Sequence, residues 1–143
     1  MIDLYTWHTP NGRKVSIMLE EIGIPYEVHS INIAKDEQFQ PHFLNICPNN
    51  KIPAIVDRSN NNYALFESGA ILIYLAEKTG KLLNSNNKEE YYRTLEWLMF
   101  QMANVGPMFG QVHHFVKYNK GKSEYYETRY SKEAKRLYGV MDK

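Results

Sequence analysis

The chain has 143 residues, 43% hydrophobic and 23% charged, with 17 Lys and Arg against 16 Asp and Glu, a length that suits one ordinary domain or a small domain followed by part of another. Near-balanced charge and this apolar content exclude a disordered chain and a general phosphate-attracting surface, and no apolar run approaches the roughly 18–20 residues that span a bilayer. The start lacks a basic segment leading into an apolar core, so no secretion signal is read, and the single cysteine, Cys47, can form neither an internal disulfide nor a metal-ligand cluster by itself. A cytoplasmic globular protein without nucleic-acid or membrane partners is expected.

Ile2 to Trp7 alternates apolar and polar residues and is rich in strand formers, so it reads as the first strand. Thr9-Pro10-Asn11-Gly12 is turn chemistry. Beyond it, Val15, Met18, Leu19 and Ile22 fall at i, i+3, i+4 and i+7, which predicts a helix with one buried face. Gly23 stands where a left-handed terminator belongs, and Tyr26 to Ile33 resumes period two. Strand, helix and strand make a βαβ unit with a parallel pair. Residues 34–50 are irregular, with a short helical piece around Phe39 to Ile46. Ile52 to Asp57 is a short strand opening on Pro53, Asn60 to Asn62 a tight turn, and Tyr63 to Phe66 the returning strand of a hairpin. Ser68 is expected to cap a helix reaching Lys78. That helix is apolar on every side over Ala70 to Ala76 and needs cover from two directions.

Residues 81–87 read as a linker between a first domain, 1–80, and a helical second domain, 88–143. Asn87 and Glu90 form a capping-box pattern. Leu95, Leu98, Met99 and Met102 repeat the helical stripe, Gly106-Pro107 should bend or interrupt it, and a last helix is predicted from Ser123 to Met141 with Tyr126, Tyr130, Leu137 and Met141 on one side.

Two short motifs carry candidate chemistry. The order of elements is that of the thioredoxin-like plan, an α/β domain of type βαβαββα, here followed by an all-α region that looks truncated. In that plan the peptide bond before the strand-opening proline is usually cis, so Ile52-Pro53 is expected to be cis and to offer the Ile52 backbone to an extended, peptide-like ligand. The loop where redox members of this plan carry two cysteines reads Trp7-His8-Thr9-Pro10-Asn11-Gly12, without sulfur, so a reactive thiol would have to arrive with the ligand. Thr9, Asn11 and the following helix N-terminus could stabilise its thiolate, or could simply shape a turn and cap a helix. Glu67-Ser68 could meet the ammonium and carboxylate of an α-amino acid at a helix start, or again be ordinary capping. Adjacent His113 and His114 point about 100° apart on a helix and suit a structural or subunit-contact role better than a metal pair. Cys47 reads as a small packed residue, the tyrosines Tyr125, Tyr126 and Tyr130 as packing residues, and Lys117 to Lys122 as a solvated loop.

With those residues in place, the chain resembles the glutathione transferases, and within them the Nu class of glutathione-dependent disulfide reductases with fungal prion-protein relatives. The resemblance rests on Thr9 to Gly12, Gln38-Phe39, Pro48 to Asp57, Leu65 to Ile71, Tyr74 to Lys78, Gly106 to Met108, Gly110-Gln111, His113 to Phe115 and Arg129-Tyr130. It implies that Asn11 and Thr9 lie beside the glutathione sulfur, Glu67 and Ser68 hold the γ-glutamyl end, Ile52 and Pro53 the cysteinyl backbone, and Gln38 and Lys51 the glycine end. Arg129 would reach the ligand from the second domain. The implied function is disulfide reduction with glutathione as cosubstrate, no metal and a homodimeric state, the alternatives being conjugation of glutathione to electrophiles or non-catalytic glutathione binding. Members of the family carry a longer helical domain, so a fragment, or a short form that hides its apolar faces by dimerising, is expected.

Overall fold

The computed structural model describes residues 1–143. Its elements run β1 (Ile2–Thr6), α1 (Pro10–Ile22), β2 (Tyr26–Ser30), two single 3₁₀ turns (Ile33–Lys35 and Glu37–Phe39), α2 (Pro41–Leu44), β3 (Ala54–Asp57), β4 (Tyr63–Phe66) and α3 (Ser68–Thr79). Helices α4 (Lys88–Phe100), α5 (Gly106–Val112) and α6 (Glu124–Met141) follow. The strands form one sheet in the order β2-β1-β3-β4. β1 pairs parallel with β2 and antiparallel with β3, and β3 pairs antiparallel with β4. The chain divides into two compact units, Met1–Tyr91 and Tyr92–Lys143. The division falls inside α4, because Leu83 and Tyr91 both join the core of the first unit.

Period two along the strands sorts side chains to the two faces of the sheet. Ile2 and Leu4 of β1 and Ile55 of β3 meet Val15, Met18, Leu19 and Ile22 of α1 and Ile71, Leu75 and Ala76 of α3. On the other face Ala54 packs with Ile31, Phe43 and Cys47, flanked by Tyr5, Ile52 and Phe66. The predicted α1 stripe is therefore the buried stripe, and Gly23 ends the helix at φ 73 as a left-handed cap. At the other end, an added Cβ on Gly12 would collide with the Thr6 side chain and the Trp7 carbonyl. A side chain there would push α1 off the end of β1.

Several expectations need correction. Ser68 is the first residue of α3 and not its cap: Glu67 holds the cap position with φ 70, and its side chain makes no capping bond. α3 is not buried all round, since Ala70 is exposed and Leu72, Ile73 and Tyr74 are half-buried. The Asn87 cap forms, its side chain accepting from the N–H groups of Glu89 and Glu90 at 3.1 and 3.3 Å. The reciprocal half does not, because the Asn87 N–H goes to the Asn84 carbonyl. Gly106-Pro107 does not interrupt the helix. The backbone widens instead into a π-helical segment at Gln101–Val105, with Gly106 N–H bonding back to Gln101, and the helix continues through Pro107 into a second π segment, His113–Tyr118. A widened turn absorbs the N–H that proline lacks. In the second unit Leu137 is the buried anchor of α6, while Phe115 stacks on Tyr126 and Tyr130 and Phe109 meets Tyr138. None of Leu95, Leu98, Met99 and Met102 is buried.

Candidate functional site at one end of the sheet

The sheet register brings three segments together. Tyr5 stands opposite Ala54 and Ala54 opposite Phe66. Past these last pairs the chain runs directly into Thr6, Pro53 and Glu67 on the three neighbouring strands. The Trp7–Gly12 loop, the Ile52-Pro53 bend and the Glu67-Ser68 turn thus converge at one end of the sheet. The β2–α2 connection leaves from the same end, where Ile31 N–H bonds to the Thr6 carbonyl at 2.9 Å.

Thr9 is the cap of α1, its Oγ1 accepting from Gly12 N–H at 3.2 Å. Capping and ligand contact are compatible here, because a hydroxyl that accepts one bond still carries its own hydrogen to donate. Pro10 occupies the first helical position and Asn11 the second, where Asn11 is exposed at the positive end of the helix. The Ile52-Pro53 bond is cis. Pro53 is buried, Ile52 half-buried and Lys51 exposed. The bend is tied from behind by Cys47, whose Sγ donates to the Lys51 carbonyl at 3.2 Å. Cys47 is buried in the second core, which fits the packed role.

Glu67 is exposed, and its left-handed backbone lets α3 begin at Ser68, which is buried. The Glu67 carboxylate accepts from Asn49 Nδ2 at 3.2 Å. Burial pushes the Lys14 ammonium on α1 below its ordinary value, and the Glu67 charge partly offsets this. Neither Asn49 nor Lys14 was singled out from the sequence. Asn49 lies within the Pro48–Asp57 motif with nothing local to mark its partner 18 residues away, and Lys14 lies on the polar side of an amphipathic stripe. Gln38 sits in the 3₁₀ turn Glu37–Phe39, and its Oε1 is the one buried side-chain polar atom without a hydrogen-bond partner. Such an atom is costly unless something meets it.

Arg129 belongs to the second unit. It is exposed on α6 in an open groove of about 940 Å³ with Met108, Tyr125, Thr128 and Lys132. His113 and His114 are exposed, each beside a different ring, Tyr118 and Phe115. Asp3, Glu27 and His29 cluster closely enough to hold a cation, but Arg58 already fills that place by donating to both carboxylates.

The fold is one that known proteins share. Residues 1–77 match the family model of the glutathione S-transferase N-terminal domain, and the chain belongs to that family. It is 48% identical to the disulfide-bond oxidoreductase YfcG of Escherichia coli (strain K12) over 147 residues, covering 100% of this chain and 68% of that protein. A glutathione transferase family member from Pseudomonas fluorescens, crystallised with two glutathione bound, superposes with a TM-score of 0.94 at 53% identity, covering 99% of this chain and 64% of that one. A glutathione transferase from Pseudomonas putida, with one glutathione disulfide bound per subunit, superposes at 0.91 and 50% identity, covering 99% and 63%. The chain therefore spans about two thirds of these relatives. No helix is long and apolar enough to cross a membrane.

Proposed function

We propose that the chain binds glutathione at this end of the sheet and reduces small disulfides with it. The observation that carries the reading is the convergence of a sulfur-free helix start, a cis-proline bend and a Glu-Ser turn, while the only cysteine is buried behind the bend. Glu67 takes the γ-glutamyl ammonium, and Ser68 with the α3 N-terminus takes the neighbouring carboxylate. Ile52, beside Pro53, pairs with the cysteinyl backbone. Gln38 and Lys51 face the glycine end, where the unpartnered Gln38 oxygen would find a donor. Thr9 and Asn11 donate to the sulfur and favour its thiolate.

In the first exchange the glutathione thiolate attacks one sulfur of the disulfide, forming a mixed disulfide and expelling the other sulfur as a thiolate. A second glutathione thiolate then attacks the mixed disulfide at its glutathione sulfur. It yields glutathione disulfide and releases the second substrate thiolate, and both product thiolates take protons from water. Two glutathione molecules supply the two electrons, so no protein sulfur is needed. Support comes from the name of the Escherichia coli relative and from the paired glutathione or glutathione disulfide in the two Pseudomonas structures. Reliance on a reduced thiol cosubstrate supports a cytoplasmic location. The exposed Tyr92, Trp97 and Met99 of α4 support a homodimer that covers them. The test compares hydroxyethyl disulfide reduction with chlorodinitrobenzene conjugation, both with glutathione. Reduction should dominate; conjugation alone, or glutathione binding without either activity, overturns the reading.

A further inference from the structure

We propose that Asn49 is a positioning residue that makes the site selective for the free α-amino group of its γ-glutamyl ligand. This rests on the glutathione reading above and goes one residue beyond it. The Glu67 carboxylate is exposed and hangs from a left-handed backbone position just before α3, so its own chain leaves it free to rotate. Asn49 Nδ2 donates to its Oε1 at 3.2 Å, and the charge of the half-buried Lys14 ammonium also reaches it. A carboxylate only accepts, so Asn49 must present its NH₂ and not its carbonyl oxygen to it. With Oε1 held, Oε2 is left for the ligand's ammonium. Asn49 stands two residues before Lys51, on the loop that delivers the cis-proline bend, and so joins the two segments that grip opposite ends of one γ-glutamyl-cysteinyl unit. The bond fixes the spacing between amine recognition and backbone pairing.

The experiment measures binding of glutathione and of its glutaryl analogue, which lacks only the α-amino group, to the unmodified chain and to Asn49→Ala and Asn49→Asp. Asn49→Ala should weaken glutathione about five- to tenfold and leave the analogue within about twofold. Asn49→Asp keeps the loop-forming shape but sets a negative charge against Glu67. It should weaken glutathione at least as much as Asn49→Ala does, and Asn49→Ala should add nothing once Glu67→Ala is present. Equal losses for both ligands, tolerance of Asp, or full additivity with Glu67→Ala overturns the assignment, because each marks a residue that only shapes the loop. An unmodified chain that binds glutathione but does not prefer it to the analogue removes the amine role of Glu67 and this proposal with it. One that binds neither removes the parent reading.

Discussion

Asn11 and Glu67 act on opposite ends of the proposed ligand, and their substitutions should separate. Asn11 is exposed on the first turn of α1 and in the proposed site serves the charge at the sulfur, so Asn11→Ala should lower the rate of disulfide reduction by about tenfold or more and leave glutathione affinity within about twofold. Glu67→Ala should reverse that pattern. Steady-state rates paired with direct binding measurements check both, and equal losses in rate and affinity for Asn11→Ala reduce it to a ligand-positioning residue. Cys47→Ser tests where the reactive sulfur comes from. Serine keeps a donor toward the Lys51 carbonyl, so turnover should stay within about twofold. A collapse of activity with the fold intact would return the chemistry to the protein's own thiol.

At the scale of elements, a buried aspartate ties the β3–β4 hairpin to α3. Asp57 is fully buried at the end of β3 and accepts from Lys78 at 2.8 Å, Tyr74 at 2.6 Å, and the Ser59 hydroxyl and N–H at 2.7 and 2.9 Å. Burial alone would raise its carboxyl, but the bonds from Lys78, Tyr74 and Ser59 outweigh it and hold the group well below the ordinary 3.8. Because the folded value lies below the unfolded one, this contribution is complete above pH 3.8 and fades as pH falls from there toward the folded value. Asp57→Asn should cost about 2–4 kcal/mol at neutral pH. It should also flatten the acid limb of a urea-unfolding series, leaving the slope due to Asp3, which Arg58 and His29 lower against its burial. An unchanged acid limb would mean that other carboxylates govern it.

The same elements show what was legible. The α1 stripe, the parallel β1–β2 pair and the hairpin follow from periodicity and turn residues, because burial on one face leaves a repeat that can be counted. Asp57 left no such trace: Lys78 and Tyr74 lie 21 and 17 positions away, and nothing beside Asp57 marks them. The cap of α3 was misplaced by one residue because serine is a good cap by side chain, whereas Glu67 holds that place through a backbone angle that its local sequence does not favour. Gly106-Pro107 read as a bend or a break because proline lacks an N–H, and the chain answered by widening the turn before it. In the site, the cis bend and helix start were legible as motifs. Asn49 and the half-buried Lys14 matter only through partners that the fold supplies.

At the scale of the whole molecule, α4 and α6 leave aromatic and methionine side chains open that a second copy, or the further length that the relatives have, would cover. Tyr92 and Trp97 are 63% and 50% exposed on α4, and Tyr125, Tyr138 and Met141 are 67%, 61% and 44% exposed on α6. Light scattering across a dilution series should return twice the chain mass, and Trp97→Lys should shift it toward one copy; a single-copy mass at every concentration would refute the homodimer. The widened turn at Gln101–Val105 sets a further condition on any such assembly. It sets the spiral back by about one residue, so deleting one residue there restores a regular α-helix and leaves everything beyond close to its present facing. Deleting one from the regular part of α4 instead rotates everything beyond by about 100°. Phe109 would keep its place beside Tyr138 in the first case and swing away in the second, so a one-residue deletion should be tolerated better in this stretch than in α4.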